Sequence, residues 1–272
     1  MRHVIALIVV ATTSVIAASA QTLYVPASAN VEGANQTRWR TDLQVKAQGD
    51  DPAAFTIELL ESRRNNSSPA SLDFQIAASE SLRLENLIET AFDFTGTAAL
   101  RITTTDGSLL ATSRTFNDDP GGTYGQTIPT VEESACLGFG ETTTLIQLSR
   151  SSDPSSGYRT NIGLVNVTDH RTGMAVDLFR ADGTTVTTLT YELKPFEYRQ
   201  INDIFSVAGT ADIEDGYAVV RTTDEDGRFI AYASVVDNSS GDAVFILGSA
   251  DDPPPLPLAD RLVVFESLLR PG

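Results

Sequence analysis

Residues 158–164, with the sequence YRTNIGL, decide the fold class, because their side chains alternate in kind. In an extended chain Thr160, Ile162 and Leu164 face one way, and Asn161 and Gly163 face the other. The same period of two recurs in residues 217–222 (YAVVRT), and Asp-Gly, Gly-Gly and Asn-Asp pairs separate the short Thr- and Val-rich runs. This pattern is typical of half-buried antiparallel strands joined by tight turns. The sequence therefore predicts an all-β protein.

A sequence repeat divides the chain into two units. Three blocks recur in order at an offset of 119 or 120 positions: 39–43 (WRTDL) as 158–162 (YRTNI), 55–60 (FTIELL) as 174–179 (MAVDLF), and 96–101 (GTAALR) as 216–221 (GYAVVR). Each unit has room for roughly seven short strands, the number in an immunoglobulin-like sandwich. We therefore expect two homologous tandem domains, residues 21–130 and 131–250, each an antiparallel β-sandwich.

Turn and helix signals add detail to each unit. Asp106-Gly107 and Asp226-Gly227 predict hairpins, since Asp and Gly tolerate the positive φ of a type I′ turn, and residues 181–184 (ADGT) predict a third. Residues 84–94 and 201–207 have a spacing nearer three or four, which predicts one short helix per unit. Its N-cap would be Asn86 in the first unit and Asn202 in the second.

The two ends of the chain differ from the repeated units. Residues 1–20 combine a basic start, an apolar run and a small-residue site ending in Ala20, which predicts a secretory signal peptide cleaved before Gln21. A retained membrane anchor is the alternative, but the apolar run is shorter than a bilayer span. Residues 251–272 form a Pro-rich spacer and a short amphipathic tail, which could dock on the second unit, bind a partner or stay frayed. We expect an exported protein, extracellular or periplasmic.

Several blocks point to a family. Residues 33–43 (GANQTRWRTDL), 158–166 (YRTNIGLVN) and 216–221 (GYAVVR) resemble tandem immunoglobulin-like or fibronectin-like β-sandwich modules of uncharacterised secreted bacterial proteins. The resemblance covers nearly the whole mature chain. It implies the fold and the compartment, and it carries no catalytic residues to this sequence.

Composition excludes several classes of function. The 272 residues contain 19 Lys and Arg against 36 Asp and Glu, a formal charge of −17. This acidity argues against binding to nucleic acid or to anionic membranes, which require basic patches. The single cysteine, Cys136, rules out an intramolecular disulfide. Removal of the signal peptide leaves His170 as the one histidine, in a polar turn without a triad or metal motif. We therefore expect a protein that is not an enzyme.

Two sets of residues are candidates for binding. Clustered acidic turns could supply oxygen ligands for calcium, although turn chemistry explains them equally well; the candidates are Asp118, Asp119, Asp237 and Asp242. Arginines at repeated positions, with the aromatic residues beside them, could form either a network of ion pairs or a shared ligand face. This second set is Trp39, Arg40, Arg101, Tyr158, Arg159 and Arg221.

These observations predict a secreted, non-enzymatic protein that acts in binding or adhesion or as a structural spacer. A protein or a glycan would be its partner, no cofactor beyond calcium is implied, and insertion into membranes is not expected. Two alternatives remain: a calcium-dependent carbohydrate-binding module, and a hydrolase that uses paired carboxylates without histidine. The oligomeric state stays open.

Overall fold

The computed structural model describes residues 20–33, 37–119 and 122–251, which form β-strands and two short helices. The all-β prediction is confirmed. The predicted signal peptide, apart from Ala20, and the tail beyond residue 251 lie outside the described residues. Within the described ranges, no helix is long and apolar enough to cross a membrane.

Eight strands and one helix build the first half. In chain order they are β1 (Thr22–Glu32), β2 (Arg38–Ala47), β3 (Ala53–Glu61), β4 (Ala70–Ile76), β5 (Ser81–Leu84), α1 (Leu87–Thr90), β6 (Gly96–Asp106), β7 (Leu109–Asp119) and β8 (Gly122–Pro129). They form two antiparallel layers, with the orders β4-β3-β6-β1 and β5-β2-β7-β8. β1 belongs to both layers, because it pairs with β6 as far as Asn30 and then with β2 at Val31 and Glu32. The first half is therefore a sandwich.

The second half has the same order of pairing. Two short strands lead into it, β9 (Val131–Glu132), which pairs with β1, and β10 (Leu137–Gly138). The remaining elements are β11 (Thr143–Arg150), β12 (Tyr158–Asn166), β13 (Thr172–Phe179), β14 (Thr185–Leu193), β15 (Tyr198–Ile201), α2 (Ile204–Val207), β16 (Ile213–Thr222), β17 (Arg228–Asp237) and β18 (Ala243–Leu247). The layers are β11-β16-β13-β14 and β15-β12-β17-β18, with β10 also on β17. Each order matches that of the first half strand for strand.

Burial follows the alternation of side chains in one half and departs from it in the other. Along β7 every second residue from Leu109 to Asn117 is buried, as expected for a strand with one face on the core. In β12 all residues from Thr160 onward are buried, and in β17 all from Phe229 to Val236. Both faces of this layer are covered, because its outer face packs against the first half and joins the core there.

Two predicted hairpins are wrong. Asp106-Gly107 connects β6 to β7, and Asp226-Gly227 connects β16 to β17, but these strands lie in opposite layers and do not pair. Gly107 has φ 70°, whereas Asp106 is not among the residues with positive φ, so the turn is not type I′. Glycine is favoured here both by this positive φ and by the close approach of residue 52, since a Cβ on Gly107 would lie 2.5 Å from the Pro52 carbonyl oxygen. The third predicted hairpin is confirmed: residues 181–184 join β13 to β14, which pair antiparallel.

The predicted short helices are confirmed, and each connects the two layers of its half. Asn86 precedes α1 as expected, although its side chain makes no capping hydrogen bond to the backbone and instead contacts Glu89. The prediction of Asn202 as the second cap is wrong by one residue. Asp203 holds that position, because its carboxylate can accept a hydrogen bond from the Ser206 N–H, at 3.4 Å.

The halves are joined along a seam of hydrogen bonds, formed by residues 62–66 of the first half and 194–198 of the second. The Arg63 N–H donates to the Tyr198 carbonyl at 2.9 Å, and the Asn66 N–H donates to that of Pro195 at 3.0 Å. The Lys194 ammonium reaches the Arg63 carbonyl, also at 2.9 Å. These hydrogen bonds therefore fix the position of one half relative to the other.

Candidate functional site

A cavity of about 430 Å³ lies between the two halves. β1, β2, β6, β7 and β8 contribute its wall from the first half. β12, β15 and β17 contribute the opposite wall. Its volume falls within the range of roughly 300–1,000 Å³ found for small-molecule sites. The side chains that matter chemically are those of Glu32, Trp39, Gln126, Arg159, Asn161 and Asp203.

Strand periodicity explains why the second half presents polar groups here. Arg159 and Asn161 lie on the outer face of β12, opposite the core residues Ile162 and Leu164. In β17 the paired residues Ser234 and Val236 lie beside them on that face. Farther along the same layer the outer face becomes apolar and packs on the first half. The cavity thus forms where this contact ends.

Trp39 forms part of the first-half wall. Its indole N–H donates to the Thr37 hydroxyl at 3.1 Å. Gly33 lets the ring come close, because a Cβ there would lie 2.6 Å from the indole nitrogen. Trp39 is also the sole tryptophan of the sequence, so its fluorescence reports on this cavity alone.

Arg159 is the one arginine among the described residues of the cavity wall. One of its Nη atoms donates to the Asn238 side-chain carbonyl at 2.9 Å, and no described carboxylate forms an ion pair with it. Burial lowers the pKa of Arg159 below its usual value, while the nearby charges of Asp203 and Asp237 oppose that change. An arginine stays charged at neutral pH even so. The cavity therefore contains a partly buried positive charge.

The neighbouring acids are held by other groups. Both carboxylate oxygens of Asp203 accept hydrogen bonds from the Arg150 Nε–H, at 3.0 and 3.1 Å. Asp237 accepts hydrogen bonds from the Ser239 hydroxyl, at 2.5 Å, and from the N–H groups of Ser239 and Ser240, at 2.7 and 3.1 Å. These bonds, that of the Ser239 hydroxyl above all, lower the pKa of Asp237. Neither carboxylate is therefore in position to neutralise Arg159 by direct contact.

The amide side chains of the wall are oriented by their neighbours. The Gln126 amide oxygen accepts from the Ser234 hydroxyl at 3.2 Å, and the Asn161 amide oxygen accepts from the Asp203 N–H at 3.1 Å. With the oxygens used in this way, the NH₂ groups of Gln126 and Asn161 make no hydrogen bond to another described residue. They are donors available to a ligand.

The structure separates the predicted arginine set. Arg40 pairs with Asp118 at 3.5 Å, Arg101 pairs with Glu58 at 2.5 Å and stacks on the Phe196 ring, and Arg221 pairs with Asp177. Tyr158 is exposed at the surface. Of the six predicted residues, Trp39 and Arg159 line the cavity. The others lie outside its wall.

The predicted calcium candidates act as turn and ion-pair residues. Asp118 is the partner of Arg40, Asp237 accepts the turn N–H groups described above, and Asp242 accepts from the Ala243 N–H at 3.1 Å. Asp119 ends β7 in the first half. Among the described residues, no three His, Cys, Asp or Glu side chains are grouped so that they could hold a metal ion.

His170 and Cys136 lie away from the cavity. His170 is exposed in the loop between β12 and β13, with its Nδ1 3.2 Å from an Asp169 oxygen. Cys136 is buried between β9 and β10, and burial raises the pKa of its thiol to about 12. A thiol with that pKa is protonated and unreactive at neutral pH.

Sequence reasoning missed the glutamine and asparagine residues of the cavity wall. The repeat did carry a signal for the partner of Arg159. Asn238 aligns with Asp118, so an amide in the second half replaces the carboxylate that pairs with the arginine of the first.

Neither the models of known families nor the curated proteins compared with this sequence give a match.

Proposed function

We propose that the protein is an exported, non-enzymatic binding protein and that its ligand occupies the cavity between the halves. The cavity supports this proposal, because it brings together an aromatic wall, oriented amide donors and an arginine without a direct carboxylate partner among the described residues. Binding sites of small molecules commonly have such a composition, with a few placed polar groups among apolar ones. The sequence repeat and the predicted signal peptide support the proposal of an exported protein built from sandwich modules.

A hydrolase based on two carboxylates is the second candidate, since Glu32 and Asp203 both line the cavity. A glycosidase needs one acid that can give up a proton and one free carboxylate. Asp203 is less suited to either role, because Arg150 holds both of its oxygens and the Ser206 N–H also contacts one of them. This arrangement favours binding over hydrolysis.

Trp39 fluorescence tests the proposal directly. We expect a saturable change in its emission with at least one member of a panel of monosaccharides, sugar acids, amino acids and short peptides, without consumption of the ligand. The change should be the same in calcium and in EDTA, and Glu32→Gln should leave the panel compounds intact as the wild type does. The Trp39→Phe variant controls for emission from tyrosine.

Three results would count against parts of this proposal. A panel that changes neither Trp39 emission nor the melting temperature contradicts ligand binding in the cavity. Turnover of a panel sugar that Glu32→Gln abolishes favours the hydrolase. A response that requires calcium favours the calcium-dependent carbohydrate-binding module.

A further inference from the structure

The two halves treat one repeated arginine differently. Arg40 and Arg159 occupy the same position of the repeat, and so do Asp118 and Asn238. In the first half the arginine pairs with the carboxylate of Asp118 at 3.5 Å. In the second half Arg159 meets the neutral amide oxygen of Asn238 at 2.9 Å. Among the described residues, the guanidinium thus has a direct carboxylate partner in the first half and none in the second.

The arginine without a direct carboxylate partner, Arg159, is the one that lines the cavity. Arg40 is not part of the cavity wall, whereas Arg159 is. A buried or half-buried cation without an ionic partner is costly, and a ligand anion would relieve that cost. The planar guanidinium matches a carboxylate in particular, because two parallel N–H groups can bind its two oxygens.

The other groups of the cavity indicate what carries the carboxylate. The NH₂ groups of Gln126 and Asn161 are donors, and the exposed carboxylate of Glu32 is an acceptor at the rim. Trp39 supplies an aromatic wall. Hydroxyl groups both donate and accept, so a ring compound with several hydroxyls fits this mixed lining. The N–H groups of a peptide would meet fewer acceptors.

We infer that the cavity binds an acidic sugar, with the sugar carboxylate on Arg159, its hydroxyls on Gln126, Asn161 and Glu32, and its ring against Trp39. This inference rests on the proposed function and specifies the class of ligand. The carboxylate takes the place that Asp118 has in the first half.

Matched pairs of sugars test the inference. Galacturonate, glucuronate and mannuronate would each be titrated against galactose, glucose and mannose, with Trp39 emission and calorimetry as readouts. We expect the acid of at least one pair to bind about tenfold or more tightly than its neutral partner, which is the usual effect of a charge-assisted hydrogen bond. N-acetylalanine serves as a carboxylate without a sugar ring.

Two variants test the role of Arg159. Arg159→Gln removes the charge and should reduce the affinity for the acidic sugar to that for its neutral partner. Gln126→Glu keeps the oxygen that accepts from Ser234 and replaces the NH₂ donor by a negative oxygen, so it should also weaken binding of the acid and not of the neutral sugar. Arg40→Gln is the matched control, because it removes the equivalent arginine outside the cavity and should leave both affinities unchanged.

The possible failures are distinguishable. Equal affinities within every pair overturn the acidic ligand and leave the binding proposal standing. Tighter binding of N-acetylalanine than of any sugar acid indicates a peptide terminus instead and overturns the sugar. If Arg159→Gln and Gln126→Glu both keep the preference for the acid, the carboxylate is not bound where we place it. The absence of any response to sugars and to N-acetylalanine overturns the acidic sugar. If the amino acids and short peptides also give no response, the binding proposal fails as well.

Discussion

A Cβ atom at Gly163 would lie 1.9 Å from Cε1 and 2.0 Å from Cζ of Tyr232. The tyrosine ring is fully buried and lies over the glycine on the neighbouring strand, so it has little room to move aside. The role of Gly163 is therefore steric. It allows the layer that faces the first half to hold a large aromatic residue.

Gly163→Ala should lower the free energy of unfolding by about 1–3 kcal/mol, the usual cost of overpacking a core. Urea denaturation of the folded protein measures this change. Gly138→Ala is the control, since its Cβ would come no nearer than 3.5 Å to another group, a Glu141 side-chain oxygen. Similar losses in the two variants would contradict the steric explanation.

At the scale of single residues, the sequence predicted part of the cavity. Trp39 and Arg159 stood out because the repeat placed an aromatic residue and an arginine side by side in both units. Gln126 and Asn161 did not, since amides are common in strands and turns alike. Their relevance depends on which face of a strand meets the other half, which a period of two cannot decide.

The Asn66 side chain is a polar contact of the seam between the halves. Asn66 is buried, its amide NH₂ donates to the carbonyls of Glu61, Arg64 and Phe196, and its amide oxygen accepts from the Glu61 N–H. Asn65, the preceding residue, is exposed and its side chain contacts Ser67 alone among the described residues. A pair of identical neighbouring residues thus differs in its structural role.

Asn66→Ala should reduce the free energy of unfolding by about 1–3 kcal/mol, because it leaves partly buried carbonyls without a donor. Asn65→Ala should change it by less than about 0.5 kcal/mol, as surface substitutions do. Thermal or urea unfolding of both variants provides the comparison, and hydrogen exchange of the Arg63 N–H shows whether the seam has opened. If Asn65→Ala costs as much as Asn66→Ala, the seam is not the source of the stability.

At the scale of strands, the alternating pattern predicted the fold class, and the repeat predicted the equal order of the layers. It did not predict that the layer with β12 and β17 is covered on both faces. The signal was Gly163 and Val165 at the repeat positions of Gln44 and Lys46. One replacement of a polar residue by a small or apolar residue is ambiguous. Several such replacements along one face of a strand indicate that this face packs against another part of the protein.

The buried tyrosines link stability of the whole molecule to pH. The Tyr198 and Tyr232 hydroxyls are 2.9 Å apart at the contact between the halves, and Tyr232 donates to the Gln200 amide oxygen at 2.8 Å. Burial raises the pKa of Tyr198 to about 12 and that of Tyr24 to about 12, and it raises the pKa of Tyr232 well above its usual value. All three groups favour their protonated form in the folded state.

Stability should therefore fall as the pH rises from about 10 to about 12. In this range an unfolded tyrosine, with a pKa of about 10, has lost its proton while the folded one still holds it. The unfolded state therefore binds fewer protons, and a rise in pH lowers its free energy relative to that of the folded state. Urea denaturation at a series of alkaline pH values measures the effect. Tyr198→Phe should make the decline shallower, and a stability that is constant across this range would contradict the assignment.

The outer faces of the two equivalent layers, those that contain β2 and β12, differ in a way that affects how the units can pack. In the first half this face presents Asp42, Gln44 and Lys46 to solvent or to ion pairs, whereas in the second half it presents Gly163 and Val165 to its neighbour. The face that buries apolar side chains in the second half is therefore polar in the first. Exchanging the two units would not reproduce the contact that holds these halves together.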